Sequence, residues 1–128
     1  MLRRCWLVVA LLGSACGGGL ERVAFDTDLL RYQPGGRVGL SLVNTSNTAL
    51  GINLCLSQLI TDDRKTTGPA DGEACVLEPQ SLAAGERLDV RKVLPAATPS
   101  GTWRYETTIR LPGGLGEKVF TPPFSVAN

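Results

Sequence analysis

Apolar and polar side chains alternate along several short stretches after Leu20, and no helical period of about 3.6 persists there over a helix-length window. The clearest stretch runs from Thr102 to Leu111. Its odd-numbered positions, from Trp103 onward, carry mostly large apolar side chains, and its even-numbered positions are polar or charged. This alternation is typical of an antiparallel strand with one buried face. The pattern therefore predicts an all-β domain.

Shorter alternating runs lie upstream, separated by turn-forming residues at the 8–12 residue spacing typical of an antiparallel sandwich or barrel. The first run places Val23 and Phe25 on one face. The next spans Arg37 to Val43 and is followed by a polar segment, residues 44–47, that is predicted to turn. The inward face of this second run is predicted to carry Val38, Leu40 and Leu42.

The run that follows residue 49 also alternates, and its apolar members are Leu50, Ile52, Leu54 and Leu56. An unbroken period would place Cys55 on the face opposite these residues. Leu59 and Ile60 are interpreted as the start of a short edge strand. The segment from Ser81 to Gly85 is interpreted as a turn before the run Glu86 to Val93.

The final run, Glu117 to Val126, contains Pro122 and Pro123, which cannot donate ladder hydrogen bonds. We therefore expect this strand to lie at an edge or to break between sheets. Three of its apolar residues lie at even-numbered positions, which would share one face of an unbroken strand: Phe120, Phe124 and Val126. Altogether, about seven antiparallel strands are predicted, a number that suits a two-sheet sandwich.

The N-terminus has a different pattern. Arg3 and Arg4 are followed by an uninterrupted apolar stretch, Cys5 to Leu12, and then by small residues at positions 13–15. This layout is typical of a secretory signal peptide, and the apolar stretch is too short for a permanent membrane-spanning helix. The sequence predicts a helical signal peptide over residues 1–15 and export of the rest.

The segment Gly13-Ser14-Ala15-Cys16 resembles a bacterial lipobox, whose usual form is Leu-[Ala/Ser/Thr]-[Gly/Ala]-Cys. It departs from that form because Gly13 occupies the position where the lipobox usually has Leu, and Leu12 lies one residue too early. The resemblance implies cleavage before Cys16 and acylation of its sulfur, with residues 16–20 as a lipidated Cys and Gly tether. Acyl chains would hold the protein on a membrane, at the periplasmic face or the outer membrane. Ordinary cleavage after Ala15 is the alternative.

Export determines which of the four cysteines could form a disulfide. Cys5 leaves with the signal peptide and Cys16 carries lipid, so Cys55 and Cys75 remain as a pair in an oxidising compartment, which favours a disulfide. That bond would close a loop of about 20 residues and contribute about 3 kcal/mol. Two free thiols would require a cytosolic protein, and a metal site would need His or a closer Cys spacing.

The composition restricts function further. The 128 residues allow one domain at most. Thirteen basic residues oppose twelve acidic ones, which leaves no basic field for nucleic acid. The chain has no His, which excludes His-dependent catalytic triads, zinc hydrolases and iron sites with two His ligands. We therefore predict no catalytic residue, no metal and no cofactor.

Four segments in a fixed order resemble bacterial immunoglobulin-like domains: residues 32–36, 42–47, 82–86 and 100–104. The resemblance implies an immunoglobulin-like β-sandwich over residues 21–128. The same order is similar to the domain known as an intracellular proteinase inhibitor in Gram-positive bacteria, from which the signal peptide and the Cys pair depart.

The longest polar stretch, Thr61 to Glu73, would be tied back by the predicted disulfide and is the candidate binding loop. Its charged residues are Asp62, Asp63, Arg64, Lys65, Asp71 and Glu73. The sequence thus predicts a lipid-anchored, non-catalytic binding or structural module whose partner is an envelope or extracellular protein. The first alternative is a proteinase inhibitor that presents residues 61–74, and the second is an unrecognised enzyme. An exposed sheet edge that recruits an extended peptide is a further possibility.

Overall fold

The structure is a computed structural model and describes residues 22–61, 66–67 and 79–128. Apart from one 3-10 turn at Leu54–Leu56, the regular structure in these ranges is entirely β, which confirms the predicted class. In the described ranges, no helix is long and apolar enough to cross a membrane. The strands are β1 (Val23–Thr27), β2 (Arg31–Tyr32), β3 (Arg37–Asn44), β4 (Leu50–Ile52), β5 (Gln58–Thr61), β6 (Thr66–Thr67), β7 (Gln80–Leu82), β8 (Arg87–Val93), β9 (Gly101–Arg110), β10 (Gly116–Phe120) and β11 (Phe124–Val126).

These strands form two sheets. The smaller sheet has three antiparallel strands in the order β1-β3-β8. The larger sheet has eight strands: β2-β11-β9-β4-β7 form its main path, β10 and β5 also pair with β9, and β6 pairs with β5. The described strands outnumber the predicted seven because several are only two or three residues long and two predicted runs are each divided.

One strand pairing differs in direction from the prediction of an antiparallel domain. β2 and β11 are parallel, with Ser125 opposite Arg31 and Val126 opposite Tyr32. A parallel pair needs a long crossover connection. Here that connection is nearly the whole described chain, a relationship that local alternation cannot reveal.

Both sheets contribute to one hydrophobic core, and the inward faces predicted for β1, β3 and β9 are confirmed. Burial of each large apolar side chain contributes about 1.5–3 kcal/mol. The smaller sheet supplies Val23, Phe25, Val38, Leu40 and Leu42, and β9 supplies Trp103, Tyr105 and Ile109.

The predicted run over residues 50–56 is interrupted. Leu50 and Ile52 are buried in β4, but the 3-10 turn begins at Leu54, and Leu56 is 42% exposed. Strand registers explain the break: Ile52 pairs with Ile109, whereas pairing resumes with Gln58 opposite Glu106. Residues 53–57 therefore lie opposite only two residues of β9, and the turn accommodates the excess. β5 is also not an edge strand, because it lies between β6 and β9.

The final run divides at its two prolines, as their missing N–H groups require, but both halves pair with β9 in the same sheet. Thr121 bridges the break: its backbone N–H donates to the carbonyl of Tyr105 at 2.9 Å, and its hydroxyl accepts from the Tyr105 N–H at 3.0 Å. Phe124 and Val126 are buried as predicted, whereas Phe120 is 41% exposed.

Two predicted turns begin later than expected. Ser81 and Leu82 belong to β7, which pairs with β4, and the turn follows them, closed by a 3.0 Å bond from the Glu86 N–H to the Ala83 carbonyl. Asn44 likewise ends β3 and is completely buried instead of lying in an exposed turn. In both places, strand pairing extends past the point at which polar residues begin.

Candidate functional site

Most of the residues predicted as a site lie outside the described residues: Cys16, Asp62, Asp63, Arg64, Lys65, Asp71, Glu73 and Cys75. The candidate binding loop, and with it the inhibitor alternative, therefore stays a prediction. Cys55 lies in the 3-10 turn and is not a free thiol. Its pairing with Cys75 stays a prediction.

The turn that carries Cys55 is fixed to the smaller sheet by a buried lysine. Lys92 of β8 is only 3% exposed, and its Nζ donates to the carbonyl oxygen of Cys55 at 2.7 Å. A buried ammonium group is stable only where it has hydrogen-bond partners. Sequence reasoning missed this contact, although Lys92 shares the inward parity of Leu88 and Val90, which was the available signal.

The interruption between β4 and β5 opens a groove on the outer face of the larger sheet, which we call the outer-face groove. It encloses about 330 Å³. β4, the turn and β5 line it on one side, and β9 and β10 line it on the other. Its lining residues are Gly51, Ile52, Asn53, Leu56, Gln58, Pro79, Glu106, Thr107, Thr108, Arg110 and Lys118.

The outer-face groove combines charged groups with an apolar wall. Lys118 Nζ lies 3.7 Å from Glu106 Oε1, and Arg110 Nη1 lies 3.5 Å from the carbonyl oxygen of Gly114. Both cationic side chains are exposed, so their contacts within the chain are weak and exchangeable. Leu56 and Pro79 supply the apolar wall. Among the described residues of the lining, two cations face one carboxylate, which gives this part of the groove a net positive charge.

Two glycines leave room for neighbouring side chains on the outer face of the larger sheet. A Cβ at Gly51 would lie 3.2 Å from Arg110 Cβ, and a Cβ at Gly116 would lie 3.1 Å from Thr108 Cγ2. Both distances are shorter than ordinary van der Waals contacts between carbon atoms. The two glycines therefore preserve the position of Arg110 and Thr108 in the groove.

The charged face continues beyond the groove along β9. The guanidinium carbon of Arg104 lies 4.7 Å from the ring centroid of Phe120, a cation–π contact worth about 0.5–1 kcal/mol at a partly exposed site. The Nε atom of Arg104 is buried, and no described residue is hydrogen-bonded to it. The outer face of the larger sheet thus carries a strip of charged and apolar side chains that extends from Arg104 to Arg110 and includes Glu106.

A second concavity, of about 450 Å³, lies on the outer face of the smaller sheet. Two of its charged residues form an exposed ion pair, and a third is hydrogen-bonded to residues nearby. Arg87 Nε donates to Asp89 Oδ1 at 3.0 Å, and Asp28 is bound by neighbouring groups.

Asp28 and Tyr32 form a closed corner between β1 and β2. The Tyr32 hydroxyl donates to Asp28 Oδ1 and accepts from the Leu29 N–H at 2.8 Å, while the Gly39 N–H donates to the same carboxylate oxygen at 2.9 Å. Burial acts to raise the pKa of Asp28, but the hydrogen bonds from Tyr32 and Gly39 outweigh it and lower that pKa. Burial, together with the hydrogen bond to Asp28, raises the pKa of Tyr32 to about 12. Burial and the hydrogen bonds among these residues account for both pKa shifts. We therefore interpret Asp28 and Tyr32 as a structural pair and not as catalytic residues.

The Tyr32 shift predicts a loss of stability at high pH. A tyrosine whose pKa is raised on folding contributes stability that is complete below its unfolded pKa, near 10, and is lost as pH rises toward 12. We expect the free-energy advantage over Tyr32→Phe to shrink by about 1–2 kcal/mol between pH 9 and 12. Urea unfolding of both proteins at several pH values measures this. A constant advantage across that range would contradict it, and pH 7 to 9 is the control interval.

Across the described part of the chain, no group of three or more Cys, Asp and Glu side chains could hold a metal ion. Among the described residues that line the outer-face groove, no nucleophile is paired with a base. The groove geometry can support ionic, hydrogen-bonded and apolar contacts with a bound chain.

No family model matches the sequence, and a search of curated proteins finds no match. Comparison with solved structures finds similar folds. Spo0M, a sporulation control protein from Bacillus subtilis, is 18% identical with a TM-score of 0.50, over 84% of this chain and 49% of that one. A structural genomics target, SoR45, is 14% identical with a TM-score of 0.50, over 83% of each chain.

A third similar structure is a chain from the complex of the SafA pilin with the SafB chaperone of Salmonella enterica. It is 13% identical, has a TM-score of 0.50, and is matched over 81% of this chain and 53% of that one. This chain thus spans about half the length of the Spo0M chain and of the Salmonella chain. At these identities the likeness shows the fold alone: an all-β domain.

Proposed function

We propose that this chain is an exported, non-catalytic binding module of the bacterial cell envelope, which holds a partner protein at the outer-face groove. In this proposal residues 1–15 are a signal peptide, acyl chains on Cys16 anchor the protein in a membrane, and residues 21–128 form an immunoglobulin-like sandwich. In the same proposal, a disulfide between Cys55 and Cys75 closes the polar loop that lies between them in the sequence.

One observation carries the binding proposal: five residues of the chain between β4 and β5 lie opposite only two residues of β9. A regular ladder needs equal lengths, so the excess is a defined departure from the sheet. It places Leu56, which is 42% exposed, in the wall of the groove, although its sequence pattern predicts an inward position. Such departures often redirect side chains at binding sites.

The groove chemistry favours a protein segment as the ligand. The groove is open, and its cations are exposed while its wall is apolar, a mixture that resembles the rim and core of protein interfaces. The net positive charge of its described lining residues favours a partner that presents an acidic side chain. The near-neutral charge of the whole chain gives no support for nucleic acid.

The membrane part of the proposal is supported by the sequence. The arginines at positions 3 and 4, the apolar stretch after them and the lipobox-like segment ending at Cys16 together indicate an exported lipoprotein. Anchoring by two or more acyl chains would be stable, whereas one chain binds only marginally. The protein would then need no basic surface to stay on a membrane.

Site-specific photo-crosslinking in the native bacterium tests the binding site. We expect a photoreactive amino acid at Thr108, inside the groove, to give a discrete UV-dependent adduct with an envelope protein. The charge reversal Lys118→Glu should weaken that adduct at least about tenfold, because a carboxylate at this position would repel an acidic side chain of the partner. Immunoblotting of membrane fractions measures the adduct, and mass spectrometry identifies its other half.

The opposite face of the molecule supplies matched controls. Ser41 and Arg91 lie on the outer face of the smaller sheet, opposite the core from the groove. A photoreactive residue at Ser41 should give no discrete adduct, and Arg91→Glu should leave the Thr108 adduct unchanged. Equal adducts from both faces, or none from Thr108, would count against the groove as the binding site.

A further inference from the structure

The hairpin between β9 and β10 ends in an exposed apolar side chain. Leu115 is 72% exposed, and the turn that presents it is closed by two backbone hydrogen bonds. The Leu111 N–H donates to the Leu115 carbonyl at 2.8 Å, and the Gly114 N–H donates to the Leu111 carbonyl at 2.9 Å. Gly113 and Gly114 both have positive φ, which a side chain would oppose. The tip is therefore a defined structure that holds a leucine in solvent.

This tip lies at the end of the molecule where the chain enters the first strand. Arg22 immediately precedes β1, and its Nη1 lies 2.9 Å from Glu117 Oε2. Glu117 is only two residues beyond Leu115. Six residue steps separate Arg22 from Cys16, a length that spans at most about 20 Å when fully extended. A membrane that holds Cys16 is thus within reach of the hairpin.

We infer that the hairpin over residues 111–116 rests on the phospholipid surface that holds the acyl chains, with Leu115 in the interfacial layer. This inference rests on the lipid anchor of the proposed function. Arg110 supports it: its Nη1 lies 3.5 Å from the carbonyl oxygen of Gly114, so its cation stands beside the tip, at the level of lipid phosphates. The apolar tip and the neighbouring cation match the two layers of a bilayer surface.

The inference sets the orientation of the whole domain. β9 runs from the hairpin to the opposite end of the molecule over ten residues, about 30 Å. Leu30 lies at that far end, because its carbonyl accepts from the Ser125 N–H at 2.9 Å and Ser125 pairs with Thr102 at the start of β9. The long axis of β9 therefore points away from the membrane surface. The face that carries the outer-face groove then lies roughly perpendicular to the plane of the membrane.

Leu30 provides a matched control, since its 74% exposure is nearly that of Leu115 and neither side chain packs in the core. The test uses the mature protein purified from membranes, as Leu115→Trp or Leu30→Trp. Each is reconstituted into vesicles of phosphatidylethanolamine and phosphatidylglycerol, with or without brominated acyl chains. Bromine quenches indole fluorescence only at short range. Trp103 is buried in the core and adds the same background to both variants.

We expect brominated lipid to remove about half of the added fluorescence of Leu115→Trp and to leave that of Leu30→Trp unchanged. Mass spectrometry of the same samples reports the N-terminal residue and the acyl mass. Acylated proteins whose two variants are quenched equally, or not at all, would overturn the hairpin contact while the anchor stands. An unacylated N-terminus would remove the anchor, and the hairpin contact with it.

Discussion

Replacement of Asn44 by alanine should lower the free energy of unfolding by about 2–4 kcal/mol, the largest effect that we expect from a polar residue of this protein. Asn44 is completely buried at the end of β3. Its Nδ2 donates to the carbonyl oxygens of Thr48 at 2.8 Å and Leu82 at 2.9 Å. Its Oδ1 accepts from the backbone N–H of Ser46 at 3.0 Å and from the Ser46 hydroxyl.

These bonds explain why a small truncation should be costly. Leu82 belongs to β7 of the larger sheet, so a single amide side chain of the smaller sheet connects the two. Alanine would leave interior carbonyl oxygens without this donor and would also leave a cavity, and each effect costs free energy. The loop over residues 45–49 would lose the contacts that fix its path.

Urea unfolding followed by Trp103 fluorescence measures this effect, and a neighbouring residue of the same type is the control. Asn47 is exposed, and its replacement by alanine should change the free energy of unfolding by no more than about 0.5 kcal/mol. If Asn44→Ala and Asn47→Ala unfold at the same urea concentration, the amide does not connect the sheets in the way described.

The second large effect is expected at Phe124, where substitution by alanine should cost about 3–5 kcal/mol. Phe124 is only 2% exposed and lies between two tyrosines. Its ring stacks on Tyr105 with a centroid distance of 5.8 Å, and it meets Tyr32 edge to face at 5.2 Å. Such pairs add about 0.5–1.5 kcal/mol beyond the area that they bury.

Phe120 supplies the control for this substitution, because it lies in the same predicted run, has the same parity and is 41% exposed. Phe120→Ala removes the same atoms from a partly exposed ring that lies against Arg104, so we expect a cost of about 1 kcal/mol or less. Thermal unfolding monitored by circular dichroism measures both variants. Equal losses of stability would mean that the two rings are buried alike, contrary to the structure.

The inward faces of β3 and β9 could be predicted from the sequence because a period of two is a local property of an extended chain. Leu40 and Ile109 are buried where that period places them. Leu56 and Phe120 share the parity of buried residues but are exposed, because the chain breaks at a turn in one case and at prolines in the other. An odd or even position along the chain therefore predicts burial only as long as the strand pairing continues without a break.

The outer-face groove could not be predicted, since it arises from registers between strands that are distant in sequence. Nothing near residues 53–57 reveals that only Thr107 and Thr108 lie opposite them. The inward position of Lys92 was visible in the alternation of β8, but its acceptor, the carbonyl of Cys55, lies 37 residues away. Local patterns therefore predicted the core better than the candidate site.

The parallel pairing of β2 with β11 also affects when the fold can be completed. It joins residues 31–32 to residues 125–126, nearly the full length of the described chain. β9, the strand with the most partners in the larger sheet, likewise lies in the last quarter of the sequence. Contacts of such high sequence separation form slowly and late. In a chain exported as proposed, the larger sheet therefore cannot close on the far side of the membrane until the C-terminal strands have been translocated.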